Sequence, residues 1–70
     1  MERIAVRSRE IAIIGYDPSS LTLEIAFRNG GVYHYFDVPE KIYQSLMTAS
    51  SQGTYFSQFI KEKFRTEKVK

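Results

Sequence analysis

The sequence has no cysteine, no tryptophan, one histidine and two prolines among its 70 residues. Without cysteine there are no disulfides and no thiolate ligands for zinc, and one imidazole does not organise a metal site by itself. Long apolar runs are missing as well. The longest, Ile11 to Ile14, falls far short of the roughly 20 residues that cross a bilayer as a helix. Near the N-terminus, Ile4-Ala5-Val6 is an apolar stretch flanked by charges and too short for a signal-peptide core. A soluble, cytoplasmic protein with no membrane association is expected. Repeats, low-complexity stretches and linkers are also absent, so residues 1–70 are expected to form one domain. A chain of this size buries only roughly 60% of the surface it exposes when unfolded. With nothing to staple the fold, its stability rests on five tyrosines, five phenylalanines and the aliphatic strand residues.

Charge is modest overall, at +2, but unevenly placed. Residues 61–70 hold Lys61, Lys63, Arg65, Lys68 and Lys70 against Glu62 and Glu67, a local +3, while residues 1–60 sum to −1. Residues 65–70 are expected to be a basic, frayed tail. Such a cluster attracts phosphate by releasing counterions; it equally suits a solvated helix end, where cations complement the dipole.

Strand signals fill the first half. Ile4 to Val6 suggests a short strand, and Ile11 to Tyr16 is rich in β-branched residues. Asp17-Pro18-Ser19-Ser20 is turn chemistry. From Leu21 to Arg28 the chain alternates, with Leu21, Leu23, Ile25 and Phe27 on one face. Asn29-Gly30-Gly31 is a hairpin signal because asparagine and glycine tolerate positive φ, and Val32 to Val38 is the returning strand. Pro39 suits a first helical turn, followed by Ile42, Tyr43, Leu46, Met47 and Ala49 at helical spacing. Ser50-Ser51-Gln52-Gly53 breaks that helix. A second starts near Thr54, with Tyr55, Phe56, Phe59, Ile60 and Phe64 as a core stripe. The order predicts an α+β fold: a small antiparallel β-meander of three to four strands, then two C-terminal helices packed on one face.

Catalysis needs a nucleophile, a base and an orienting group within mutual reach. His34 is the only imidazole, and Asp37, three residues along the same strand, points to the other face. Serines cluster at turns and caps, and the eight acidic residues form no paired site. Gly30-Gly31 lacks the strand–loop–helix context and lysine of a phosphate-binding loop. The expectation is a non-catalytic domain with no cofactor and no metal.

Tyr33-His34-Tyr35 is the segment of most interest, and its orientation depends on the hairpin turn. A two-residue turn at Asn29-Gly30 pairs Ile25 with His34 and puts both tyrosines on the polar face. A three-residue turn, Arg28-Asn29-Gly30, pairs Ile25 with Tyr33 and Leu23 with Tyr35. It also sets His34 beside Glu24 in solvent. A one-residue slip flips every side chain. Burying an imidazole opposite Ile25 is unfavourable, so the second register and core-facing tyrosines are preferred, although that version exposes Phe36. On an open face the same pair would form a stacking platform for single-stranded bases.

An ordered set of residues resembles the KTSC domain, a short module at the C-terminus of some lysyl-tRNA synthetases and also a free-standing bacterial protein. The set is Gly15-Tyr16-Asp17, Leu23 with Phe27, Gly30-Gly31, Tyr33-x-Tyr35, Val38-Pro39, Ser51-x-Gly53-x-Tyr55-Phe56 and Ile60. It spans roughly Arg3 to Arg65. Ser57 stands where the family pattern suggests asparagine. The resemblance implies a binding module of unknown function, with RNA as the partner suggested by the synthetase fusion. Arg28, Lys61, Lys63 and Arg65, with Lys68 and Lys70, are then the candidate phosphate contacts, and Tyr33 and Tyr35 the candidate stacking residues. The alternative is a protein-interaction or homo-oligomeric module, with Ile11, Ile13 and Phe36 on an outer sheet face.

Overall fold

The computed structural model describes residues 1–70. Five strands, β1 (Glu2–Ala5), β2 (Ile11–Asp17), β3 (Thr22–Phe27), β4 (Val32–Tyr35) and β5 (Thr66–Lys68), form one sheet. They lie side by side in chain order, every neighbouring pair antiparallel. Two helices, α1 (Glu40–Thr48) and α2 (Gln52–Phe59), are inserted between β4 and β5 and pack on one face of the sheet. The α+β class and the meander-then-helices order are as the sequence predicts, with a fifth strand added.

That fifth strand replaces the frayed tail expected for residues 65–70. β5 sets Lys68 opposite Tyr33, Glu67 opposite His34 and Thr66 opposite Tyr35. Flanking bonds from Phe36 N to Arg65 O and from Val32 N to Lys70 O extend the pairing. The cause lies in the backbone. β4 has a second edge after pairing with β3, and its amides and carbonyls need partners. A strand of exposed lysine and glutamate satisfies them, and its charges discourage further pairing at the new edge.

The β3–β4 hairpin has the three-residue turn. Phe27 N donates to Gly31 O, Gly30 N donates to Phe27 O, and Gly30 takes the positive φ of 103° that the loop requires. Ile25 therefore faces Tyr33, and Leu23 faces Tyr35. β2 carries a bulge: Ile11 pairs with Phe27 but Ile13 with Ala26, leaving Ala12 as the extra residue. The bulge returns Ile11 to the helix-covered side, where it is fully buried. Its expected place on the outer face is thereby corrected, while Ile13 stays outside.

The core joins Ile11, Ile14, Tyr16, Leu23, Ile25 and Tyr35 of the sheet to Val38, Leu46, Phe56 and Ile60. Each fully buried aliphatic side chain stabilises the fold by roughly 1.5–3 kcal/mol. α1 is fixed by Leu46 and by Tyr43, whose ring stacks on Tyr16 at 4.6 Å. Pro39 is its N-cap, one position earlier than expected. α2 begins at a Ser51 cap whose Oγ accepts from Thr54 N at 3.3 Å. It stops at Phe59 rather than running on to Phe64, because the chain turns through a positive φ of 64° at Glu62 to reach the edge of β4. Phe59, expected in the core, is exposed beside Tyr55.

Candidate functional site

Side chains alternate along a strand, so Tyr33 and Tyr35 leave β4 on the helix-covered side. There they meet Phe27 from β3 and Phe56 from α2. The rings pack edge to face: Phe27 with Tyr33 at 5.6 Å, Phe27 with Phe56 at 5.5 Å, and Tyr35 with Phe56 at 5.4 Å. These four aromatics line a half-open groove of about 450 Å³. Polar residues complete the lining: Glu10, Asn29, Ser57, Lys61, Glu62 and Thr66. An apolar floor with a few polar groups around it is the usual make-up of a small-ligand site.

The two tyrosines are not equivalent. Tyr33 is half-buried, whereas Tyr35 is only 4% exposed. Burial, with Tyr33 adding to it, pushes the Tyr35 phenol up to about 12, so it is neutral at physiological pH. Its ring face is taken up by core packing, which removes it from the stacking role suggested for an open face.

The remaining expected contacts do not converge on one surface. Lys61 lines the groove. Lys68, opposite Tyr33 in the register, shares that side of the sheet. Arg28 is held by the β1–β2 loop, where its Nε donates to Ser8 O at 2.6 Å and its Nη2 to Val6 O at 3.0 Å. Lys63 is exposed in the turn after α2. Arg65 lies over the ring of Phe36, 4.7 Å from its centre, on the helix-free face. That arginine and the groove are on opposite sides of the sheet. Phe27, Phe56, Ser57 and Glu10 were missing from the sequence-based site because they come from separate segments. Ser57 did carry a signal, as the one departure from the ordered motif set.

A second polar cluster occupies the helix-free face. The register sets Arg3, Gly15, Glu24 and His34 in one row across four strands, as expected for His34 and Glu24. Glu24, expected in solvent, is only 7% exposed. Arg3 Nε donates to Glu24 Oε2 at 2.6 Å, and His34 Nε2 donates to Oε1 at 2.8 Å. The Arg3 hydrogen bond is the main reason that the Glu24 carboxyl is held below its usual range; burial opposes it, and His34 adds to it. Arg3 reaches over β2 only because position 15 is glycine. A Cβ there would sit 3.1 Å from Arg3 Cγ and 2.9 Å from Met1 Sδ. Phe36 closes one side, edge to face with His34 at 6.3 Å.

A five-stranded meander with two helices on one face, and a Tyr-x-Tyr pair beneath the second, defines a small α+β domain of one kind. It matches the KTSC domain over residues 7–64, and the chain belongs to that family. A KTSC domain protein from Yersinia pestis, known from a crystal structure, is 45% identical with a TM-score of 0.96, over 99% of this chain and 97% of that one. An uncharacterized protein of Stutzerimonas stutzeri (strain A1501) is 39% identical over 61 residues, covering 87% of this chain and 86% of its own length. A lysine–tRNA ligase of Nostoc punctiforme is 43% identical over 54 residues, which are 77% of this chain but 10% of the ligase. No helix is long and apolar enough to cross a membrane.

Proposed function

We propose that this domain is a non-catalytic module that binds single-stranded RNA, with the aromatic groove as its base site. The observation that carries the reading is the groove itself, where four aromatic residues meet Lys61, the one basic residue of the lining beside Glu10 and Glu62, with Lys68 on the same side of the sheet. Base–aromatic stacking is worth roughly 1–3 kcal/mol per base and tolerates any sequence, and the half-buried Phe27 and Tyr33 are the rings open to it. Similarity to a segment of lysine–tRNA ligases, proteins that handle RNA, supports the same class of partner. His34 is bonded to a carboxylate that Arg3 also holds, an arrangement suited to fixing strands rather than to activating a nucleophile.

The test is an amide NMR titration of labelled protein with a mixed-sequence single-stranded RNA pool, at low and then physiological salt. Shifts at Phe27, Tyr33, Phe56 and Lys61 that persist at physiological salt are expected. Shifts confined to residues 65–70 that vanish with salt would reduce the interaction to nonspecific electrostatics and end this reading.

One observation favours a second reading, association with another copy of the chain. Ala5, Ile13, Ala26 and Val32 form an apolar row across the helix-free face, and Ile13 is 37% exposed. Sedimentation velocity at high concentration, with Ile13→Lys as control, would show a dimer that the substitution abolishes. A monomer at every concentration would remove this alternative.

A further inference from the structure

The buried tyrosine Tyr16 has an internal partner, its hydroxyl donating to Val38 O at 2.6 Å. Tyr35 differs. It is as buried as Tyr16, yet its hydroxyl has no hydrogen-bond partner in the protein, and burial and the neighbouring Tyr33 alone account for its raised pKa. No fully enclosed side-chain oxygen or nitrogen is left unpaired anywhere in the chain. The Tyr35 hydroxyl therefore keeps an opening, and the cavity that Tyr35 lines is the aromatic groove. A neutral phenol both donates and accepts, and one at a narrow opening of the groove is placed to exchange its water for the polar edge of a ligand.

The charges around the groove complete the argument. Of its lining residues Glu10 and Glu62 are acidic and Lys61 alone is basic. A phosphodiester placed inside would face two carboxylates and be repelled. A neutral ring bearing N–H groups would instead find acceptors in those carboxylates.

We infer that the groove takes one unstacked RNA base edge-first, with the Tyr35 hydroxyl as its hydrogen-bonding contact at the floor and the sugar–phosphate left outside. This rests on the RNA reading above and adds its mode of entry and the residue that registers it. Phosphate is met only at the mouth, by Lys61 and Lys68. The affinity then depends weakly on salt, with a log–log slope of about −1.4 for two phosphates on a single strand.

The experiment titrates labelled wild type and Tyr35→Phe with a mixed-sequence single-stranded RNA pool, and wild type also with an abasic pool of the same length. Expected are groove shifts with RNA, none with the abasic pool, and about fivefold weaker binding by Tyr35→Phe. The thermal midpoint of Tyr35→Phe should not fall, because no internal bond is lost. Groove shifts with unchanged Tyr35→Phe affinity would overturn the floor contact and leave the RNA reading standing. Equal groove shifts from the abasic pool would overturn base entry in wild type, whatever the variant does. Absence of groove shifts with either pool would overturn the RNA reading and this inference together.

Discussion

Glu24→Gln tests whether the row on the helix-free face fastens the edge strand to the sheet. The carboxylate is nearly buried and accepts from Arg3 Nε at 2.6 Å, from Arg3 Nη2 at 3.3 Å and from His34 Nε2 at 2.8 Å. Hydrogen bonds to a charged group contribute roughly 1.5–3 kcal/mol and neutral ones roughly 0.5–1.5. The Arg3 side chain is half exposed, so water discounts its share. Neutralising the acceptor while keeping its shape should therefore cost about 1 kcal/mol. Glu24→Ala also leaves Arg3 and His34 without a partner, and should cost about 2 kcal/mol. For a domain of this length about 1 kcal/mol lowers the thermal midpoint by roughly 4–8 °C.

Urea unfolding followed by circular dichroism should show a lower midpoint with an unchanged slope, since the surface exposed on unfolding is the same. The sign with pH is fixed by the direction of the Glu24 shift. A carboxyl held below its usual range in the folded state adds stability above its unfolded value, about 4.3, and loses it as pH falls through the folded one. The gap between wild type and E24Q should be constant near neutrality and close in acid. Arg3→Ala should cost little more once Glu24→Ala is present, because the two share one interaction. An E24Q midpoint equal to wild type at pH 7, or a gap that persists unchanged at pH 2, would refute the reasoning.

Gly30→Ala should destabilise the domain by about 1 kcal/mol through backbone strain alone, since φ is +103° and no atom lies within 4 Å of the added methyl; equal thermal midpoints would contradict that. Removal of residues 66–70 should uncover the edge of β4 and give concentration-dependent association in sedimentation velocity, whereas a stable monomer would show that β5 is not needed to cap the sheet. Arg28→Ala should free the β1–β2 loop, so amide exchange of residues 6–10 should quicken by about tenfold with little change in the global midpoint; unchanged exchange would mean that the two carbonyl contacts do not restrain the loop.

Much of this architecture is local enough to read in the chain. The β3–β4 register followed from one chemical preference, that His34 sits beside Glu24 and not opposite Ile25, and the observed pairing agrees. Glu24 is more buried than its place on the helix-free face suggests, because Arg3, from a distant strand, lies over it. Gly15, in the interior of a strand, was the available sign of such a close approach. β5 left no pattern because none of its three residues is buried. Only the unpaired edge of β4 calls it into place, and that edge exists only once the sheet has formed. Ile11 departs from strict alternation because a bulge interrupts it with no obvious residue to mark the break. The groove is likewise assembled from β3, β4, α2, β5 and three loops, so no single segment could announce it.

The order of strands carries a kinetic consequence. Each pairing from β1 to β4 joins strands that are neighbours in the chain and closes a short loop, whereas β4 and β5 meet only across both helices. Short loops close early and long ones late, so the four-stranded meander forms before β5 docks. Pulse-labelling exchange should protect Leu23 and Ile25 before Val69, whose amide donates to Val32 O, and simultaneous protection would disprove the sequence of events. Thr66 lines the groove, which is therefore completed only at the last step. A chain caught short of β5 docking would have its hydrophobic centre in place and no finished cleft, so ligand capture would report completion of folding.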